Sequence, residues 1–234
     1  MTTDLRRAAG LTIFRTMFNL RTMLVSETTD DHRQERQASS PRQRRQDRTR
    51  EAILQEARKL IAETGPERFS LRELARRINY SPAGLYTYFR GKEQIVDALQ
   101  EEGLALLARR LREVRQDLRW DARLREIGLA YIAFARASPE HFLLIFTRLS
   151  SRRRDFRTPP NEAYRVLRDA IQRGVQEGGL KTAGEAGVEE LSFFYWAQVH
   201  GLAMLEMAHL RDFQTDFEKL NRQAIERCLR GLVG

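Results

Sequence analysis

From Thr49 to the C-terminus, apolar residues recur at intervals of three and four, the spacing that places side chains on one face of an α-helix. Ile53, Ala57, Leu60 and Ile61 show this pattern first, and longer segments repeat it through the second half of the chain. No segment alternates apolar and polar residues in the manner of a half-buried strand, and no internal repeat is present. The sequence therefore predicts an all-α fold.

Turn and capping residues divide the segment 49–90 into three short helices. Gly65-Pro66 ends the first helix. Ser70 is the expected N-cap of the second, with Glu73 completing a capping box. Asn79 tolerates the left-handed backbone of a tight turn. Ser81-Pro82 then begins a third helix, which we expect to continue to residue 90. Two helices joined by such a turn form a helix-turn-helix arrangement.

The charge and the polar residues of the chain restrict its function. Lys and Arg number 41 against 32 Asp and Glu, so the net charge is +9, which favours a nucleic acid or another polyanion as partner. The longest apolar stretch, 191–210, contains too many polar residues to span a membrane. Cys228 is the single cysteine and cannot form an internal disulfide, which favours a reducing cytoplasm. The four His are scattered and no CxxC or HExxH motif is present, so we predict neither a metal nor a cofactor. No nucleophile–base pattern is present, so we predict no catalytic residue and no enzyme.

The leader, residues 1–46, differs from the rest of the chain. Residues 26–46 are almost free of apolar side chains, and such a composition cannot offset the entropy of ordering, so we expect the leader to be mostly disordered. Two interpretations of the arginine-rich stretch 42–50 remain open: an arm that enters the DNA minor groove, or a soluble tail. Further upstream, residues 11–24 have the spacing of a short amphipathic helix.

The third helix of the predicted helix-turn-helix carries groups that suit DNA. Ser81 and the backbone N–H groups after it form a helix N-terminus that can meet a phosphate. Ala83 and Gly84 are small enough for close approach to a groove, while the segment 86–88 offers hydroxyl groups and apolar surface to phosphates and bases. Arginine and lysine side chains around it can neutralise phosphates. The alternative is an ordinary three-helix bundle whose charges form a solvated face.

Three motifs in this region, Phe69-Ser-Leu-Arg-Glu-Leu-Ala, Ser81-Pro-Ala-Gly-Leu-Tyr-Thr-Tyr-Phe and Gly91-Lys-Glu, resemble the DNA-binding domain of TetR/AcrR-type transcriptional regulators. The resemblance covers residues 49–95 and includes a Leu-Tyr-x-x-Phe-x-x-Lys signature that begins at Leu85. The chain departs from the family at Asn79, where glycine is usual.

The resemblance implies roles for individual residues. Tyr86 would touch the DNA backbone, Lys92 would meet a phosphate at the start of the fourth helix, and the start of the second helix would contact phosphate as well. Base-facing residues would lie near Thr87. The fourth helix would transmit a ligand signal to the DNA-binding domain. The candidate DNA-binding residues are Arg48, Ser70, Arg72, Ser81, Ala83, Gly84, Tyr86, Thr87, Tyr88 and Lys92.

The second half of the chain resembles the ligand-binding region of a subgroup marked by Trp-x-x-x-His-Gly, through Ala135-x-x-Ser-Pro-Glu-His-Phe and Trp196-Ala-Gln-Val-His-Gly-Leu-Ala. Residues 191–210 are apolar on almost all sides, so a partner surface is expected to cover them. The resemblance implies a four-helix bundle between two subunits, formed by helices at about 187–209 and 213–232.

Six residues are candidates for contact with an apolar ligand, and Gln198 would add a polar group. Each aromatic member can equally be part of the core, and the histidine can equally be a packed polar residue at a helix crossing, where Gly201 permits close approach. The candidate ligand-binding residues are Phe142, Phe146, Tyr164, Phe193, Trp196 and His200.

The sequence thus predicts three regions: the leader 1–46, a DNA-binding domain 47–95, and a ligand-binding and dimerisation domain 96–234. The function expected is that of a homodimeric, cytoplasmic transcriptional repressor. It would bind a palindromic DNA operator and be released by a small hydrophobic or aromatic effector. The alternative is a helical membrane-surface or scaffold protein without sequence-specific DNA binding, prompted by the amphipathic segment 11–24 and the basic charge.

Overall fold

A computed structural model describes residues 40–146, 162–182, 184–210 and 213–232. All regular structure in these ranges is helical, which confirms the all-α prediction. A 3₁₀ turn, Pro66–Arg68, follows the helix that ends at Thr64, and the helix that ends at Met204 continues into a π-helical turn, Leu205–His209. The helices are α1 (Pro41–Thr64), α2 (Leu71–Arg77), α3 (Pro82–Leu85), α4 (Lys92–Arg112), α5 (Trp120–Ala137), α6 (Pro139–Ile145), α7 (Glu162–Gln176), α8 (Gly184–Met204) and α9 (Phe217–Leu232).

Helix α1 begins at Pro41, inside the leader that the sequence predicts to be disordered. Residues 41–48 are exposed, so no burial of apolar surface holds them in the helix. Arginine and glutamine are good helix formers, and proline is tolerated in the first helical turn. Once the buried half of α1 has formed, adding further turns costs little. Residues 41–46 of the predicted leader are therefore helical in this structure, and residues 1–39 lie outside the described ranges.

The predicted caps of α2 and α3 are present. Ser70 Oγ accepts a hydrogen bond from the Glu73 N–H at 3.2 Å, and Ser81 Oγ accepts one from the Gly84 N–H at 3.0 Å. Asn79, between these helices, has a φ of 56°, the left-handed conformation that the turn requires. The Glu73 carboxylate, expected to complete a capping box, instead accepts hydrogen bonds from Arg76 at 2.9 and 2.6 Å.

Helix α3 is shorter than the sequence indicates, because it ends at Leu85 rather than near residue 90. The chain then tightens into a turn in which the Thr87 N–H donates to the Gly84 carbonyl at 3.3 Å and the Tyr88 N–H donates to the Leu85 carbonyl at 2.9 Å. The turn delivers Phe89 into the core, where its side chain is 1% exposed.

Helices α1–α3 and the first two turns of α4 enclose an apolar core, and we call this part of the molecule the head. The described residues after Leu99 form the body, which has a separate core. The head core extends beyond the predicted domain boundary at 95/96, because α4 supplies side chains up to Leu99 and α6 adds one more. The buried members of the head core are Ile53, Leu54, Ala57, Leu60, Ile61, Phe69, Leu74, Ala75, Leu85, Phe89, Ile95, Val96, Leu99 and Leu144.

Helix α6 belongs to both cores. Leu144 is 1% exposed and fills the head core, whereas Phe142 and Ile145 are buried in the body core. Gln100 of α4 donates its side-chain N–H to the Leu144 carbonyl at 2.8 Å. A Cβ atom at Gly103 would lie 3.1 Å from Ile145 Cγ1, so glycine permits the close approach of α4 and α6. Motion of α6 therefore affects both cores.

An ion-pair chain adds a second connection between head and body. Arg58 of α1 donates to both carboxylate oxygens of Glu102 in α4, at 2.7 and 2.8 Å. The same carboxylate lies 3.4 Å from His141 Nε2 of α6. The three helices α1, α4 and α6 are thus joined by polar contacts as well as by apolar packing.

Candidate nucleic-acid interface and ligand cavity

The sequence predicts that residues 81–88, which we call the recognition segment, face DNA. The structure places them at the surface of the head. Tyr86 is 57% exposed, Ala83 and Thr87 are exposed, and Gly84 and Tyr88 are half-buried. Ser70 and Arg72 at the start of α2 are exposed too, and Lys92 is half-buried in the first turn of α4. All ten predicted DNA-binding residues, including Arg48 on α1, are therefore at least partly accessible to a partner.

Three hydroxyl groups near this surface also stabilise the local backbone. The Ser70 and Ser81 oxygens act as helix caps, so their O–H groups stay available to donate to a phosphate. The Thr87 O–H donates to the Gly84 carbonyl at 2.7 Å, and the residue is exposed. Tyr86 and Tyr88 differ, because Tyr88 packs edge-on against Tyr80 with ring centroids 6.3 Å apart, whereas the Tyr86 side chain is more than half exposed. Tyr80 was not among the predicted site residues.

The arginines at the start of α1 are not equivalent. Arg42, Arg44, Arg45 and Arg48 are exposed, which suits contact with phosphate groups. Arg50 is half-buried, its Nη1 donates to the Tyr88 carbonyl at 3.1 Å, and its guanidinium carbon lies 4.2 Å from the centroid of the Phe89 ring. Arg50, although part of the predicted basic stretch 42–50, therefore packs against the end of the recognition segment.

Ion pairs hold α2 against α1. Arg77 contacts Glu63 at 2.6 Å, Glu73 at 3.3 Å and Glu56 at 3.4 Å, which joins the two helices around one guanidinium. Hydrogen bonds from Arg76 and Arg77 lower the pKa of the Glu73 carboxyl to about 2. The Glu73 carboxylate is therefore ionised at neutral pH and can hold both arginines.

An apolar cavity of about 40 Å³ lies inside the body. Ligand-binding cavities usually measure several hundred Å³, so a drug-sized molecule can enter this one only if its walls move apart. Helices α4, α5, α7 and α8 provide most of the wall, and Phe146, the residue after α6, also lines it. The lining residues are Leu104, Leu107, Leu111, Ile127, Gly128, Tyr131, Phe146, Ala163, Tyr164, Leu167, Tyr195, Trp196 and Val199.

A short chain of hydrogen bonds borders the cavity. The Trp196 indole N–H donates to the Tyr131 hydroxyl at 3.4 Å, and this hydroxyl lies 2.9 Å from His200 Nδ1. The Tyr131 hydroxyl can donate to Nδ1 or accept a proton from it, and the tautomer of His200 decides between the two. Burial raises the pKa of Tyr131 above its ordinary value and lowers the pKa of His200. The site is therefore uncharged at neutral pH.

The six predicted ligand-binding residues separate into three groups. Phe146, Tyr164 and Trp196 line the cavity. Phe142 and His200 lie behind it, with ring centroids 5.2 and 4.4 Å from that of Phe146. Phe193 is 63% exposed on the outer face of α8 and does not line the cavity.

Two further polar expectations concern α8. Gln198 is exposed, so it is not a polar group of the cavity. A Cβ atom at Gly201 would have no neighbour within 4 Å, so this glycine does not permit a close helix crossing within the subunit. Sequence reasoning also missed Tyr131 as a cavity residue. The sequence does place Tyr131 on the apolar face of a helix, and a buried tyrosine hydroxyl needs a hydrogen-bond partner. This requirement could have indicated a polar group inside the body.

The described residues contain no group of three or more His, Cys, Asp or Glu side chains arranged to hold a metal ion. None of the described helices combines the length and hydropathy that crossing a bilayer requires.

The head and its exposed recognition segment, joined to a helical body with an internal cavity, define a helix-turn-helix regulator with a ligand-binding body. Family comparison agrees with both parts. Residues 53–99 match bacterial regulatory proteins of the tetR family, and residues 124–228 match a tetracyclin repressor-like C-terminal domain. The chain belongs to the TetR family of DNA-binding transcription regulators with a ligand-binding C-terminal domain.

Solved structures share the fold. A protein of unknown function from a Rhodococcus species is 21% identical with a TM-score of 0.64, over 79% of this chain and 95% of that protein. The TetR-family regulator PfmR from Thermus thermophilus is 23% identical with a TM-score of 0.57, over 77% and 98%. AibR, in complex with isovaleryl coenzyme A and operator DNA, is 20% identical with a TM-score of 0.57, over 76% and 95%. A comparison with curated proteins gives no match.

Proposed function

We propose that this chain is a homodimeric repressor that binds a two-fold symmetric operator and dissociates when a small, mainly apolar effector enters the body. The observation that carries the proposal is the double role of α6. One side of this helix reaches the aromatic side chains around the cavity, and the other side contributes Leu144 to the head core. A change in cavity volume therefore has a direct route to the DNA-binding surface.

Apolar side chains exposed on α8 and α9 support the dimer. Phe194 and Leu205 on the α8 segment are 47% and 48% exposed, and Leu220 on α9 is 49% exposed. Ala197 and Gly201 lie between the first two, so the same face of α8 contains small residues over which a second helix can pack closely. A large apolar face of this kind commonly marks a protein interface. Two-fold symmetry would place two heads on successive major grooves, about 34–36 Å apart.

The closed cavity supports an effector that acts by changing populations. An effector that binds an expanded body more tightly than the closed one shifts the molecule toward the expanded state. The uncharged group of Tyr131, His200 and Trp196 favours a mainly apolar or aromatic effector with few polar atoms. AibR was crystallised with isovaleryl coenzyme A, so we include this acyl thioester among the compounds to test.

The remaining parts of the proposal follow from the same features. The recognition segment would read bases through Ala83, Gly84 and Thr87, while Tyr86 and Lys92 would contact phosphates. The Trp-x-x-x-His-Gly element at 196–201 would place the chain in the subgroup that bears it. The protein would act in the cytoplasm, where the operator DNA is.

The dimer is tested with two equally exposed leucines. Leu220→Glu puts a charge on the proposed interface, whereas Leu143→Glu puts one on α6, where leucine is also 49% exposed. We expect sedimentation equilibrium to show dimer affinity reduced more than about tenfold by Leu220→Glu only. Equal effects of the two variants would contradict the assigned interface.

The operator and the direction of regulation are tested together. Selection of binding sites from a random-sequence duplex library should yield a sequence with two-fold symmetry. A reporter under that sequence should be repressed by the protein, and panels of aromatic compounds and acyl thioesters should contain one that restores expression. Asymmetric selected sites, or expression that rises with the protein, would refute the proposal.

A further inference from the structure

Arg50 connects α1 with the end of the recognition segment, 38 residues later in the chain. Its Nη1 atom donates to the Tyr88 carbonyl oxygen at 3.1 Å. Its guanidinium carbon lies over the Phe89 ring, 4.2 Å from the ring centroid. The side chains of Arg42, Arg45 and Arg48 are exposed instead. Arg50 stands where α1 passes from this exposed part to its buried part, which begins at Ile53.

The contact falls where the recognition segment has least support of its own. Helix α3 has only four residues, and the backbone after Leu85 continues in a turn rather than in a helix. Carbonyl groups beyond the end of a helix need partners outside it, and Arg50 supplies one for Tyr88. Phe89, the next residue, anchors the segment in the head core. Arg50 thus holds both the last residue of the recognition segment and its anchor.

Arginine has two properties that this position uses. Its guanidinium is planar, so it can stack on an aromatic ring while its N–H groups donate in the same plane. Lysine keeps the charge but has a compact ammonium group that cannot stack and donate in this way. A residue that only neutralised phosphate would not need this geometry.

We propose that Arg50 is a positioning residue for sequence-specific DNA recognition: it fixes the orientation of Tyr86, Thr87 and Tyr88 through the Tyr88 carbonyl and the Phe89 ring. This inference rests on the proposed role of the recognition segment in reading DNA. It separates Arg50 from Arg48, which acts as a phosphate-binding charge.

The DNA experiment compares Arg50→Lys with Arg48→Ala. The probes are the duplex selected from a random library by the parent protein and a duplex of scrambled sequence. Arg50→Lys should weaken binding to the selected duplex about tenfold and retain the salt dependence, since the charge remains. Arg48→Ala should weaken binding to both duplexes alike and lower the salt slope by about one. If Arg50→Lys weakens both duplexes equally, Arg50 is not a positioning residue.

A second measurement needs no DNA, so it separates failure of this inference from failure of the proposed function. Hydrogen exchange is followed at the amides of Thr87, Tyr88 and Phe89, with Ile53 and Leu74 in the head core as internal references. Arg50→Lys should accelerate exchange at the three amides about tenfold and leave the references unchanged, and Arg48→Ala should change neither. Unchanged exchange in Arg50→Lys, or equal acceleration at the references, overturns the inference. If the parent selects no duplex and Arg50→Lys still accelerates exchange at the three amides, only the proposed function is overturned.

Discussion

Leu144 allows the coupling between the two cores to be measured directly. The residue lies on α6, within the segment that matches the C-terminal domain, yet its side chain is 1% exposed inside the head core. Its neighbour Leu143 is on the same helix and is 49% exposed. Leu144→Ala and Leu143→Ala therefore remove the same atoms from adjacent positions in very different surroundings.

The expected losses follow from burial. Leucine-to-alanine changes at buried sites cost roughly 2–5 kcal/mol, and the cost rises when the surroundings cannot collapse into the cavity. The backbone of Leu144 is held by the Gln100 side chain at 2.8 Å, which limits such collapse, so we expect a loss of about 3–4 kcal/mol. The Leu143 side chain is already half exposed to solvent, so we expect Leu143→Ala to lower the free energy of unfolding by less than about 1 kcal/mol.

Urea unfolding followed by circular dichroism measures both variants. With a denaturant slope of about 2–3 kcal/mol per molar, Leu144→Ala should lower the urea midpoint by about 1–2 M, and Leu143→Ala should lower it by at most a few tenths of a molar. The sensitivity of α1 to proteases should rise in Leu144→Ala, because the space left by the removed leucine atoms lies in the head core. Similar midpoints for the two variants, or a loss confined to the body, would show that Leu144 does not support the head core.

Three further predictions concern the surfaces and the cavity. Tyr86→Ala and Lys92→Ala should each weaken binding to the selected duplex in a mobility-shift titration while helicity and dimerisation stay unchanged; parental affinity in both would contradict the assigned DNA-binding surface. Because burial lowers the pKa of His200 below its ordinary 6.5, the unfolded chain takes up that proton first, so stability should fall as the pH drops below 6.5. Urea midpoints at pH 7.5 and 5.5 should differ less in His200→Gln than in the parent, and an equal difference would refute this. Trp196→Phe, which keeps an aromatic ring but removes the N–H, should blunt the reporter response to the effector more than it changes operator affinity, whereas a normal response would exclude Trp196 from the effector site.

Local signals in the sequence were sufficient for much of the head. Ser70 and Ser81 act as helix caps in the structure, and Asn79 adopts the left-handed turn, because each of these features depends on a residue and its immediate neighbours. The length of α3 was not predictable in this way. Its end at Leu85 is decided by the burial of Phe89 and by a contact from Arg50, both of which need the tertiary structure.

The site in the body was harder to predict from the sequence. An aromatic residue on an apolar helix can face the core or a partner, and periodicity alone does not separate Trp196, which lines the cavity, from Phe193, which is exposed. The hydrogen bond between Tyr131 and His200 joins residues 69 apart, so no local pattern contains it. The start of α1 inside the leader was not expected from the sequence. Low hydropathy suggested disorder there, but it does not prevent good helix formers from prolonging an existing helix.

The place of Leu144 in the head core determines how parts of this protein can be exchanged with those of relatives. A chimera that joins this head to a foreign body at residue 95 would lose Val96, Leu99 and Leu144 together, and the head would carry an unfilled hole. Moving the junction past Leu99 would still leave the hole at Leu144. A functional hybrid therefore needs a leucine, or a side chain of similar volume, at the matching position of the foreign sixth helix. The unit that can be transplanted is discontinuous in sequence, and its last piece lies more than forty residues beyond the apparent end of the DNA-binding domain.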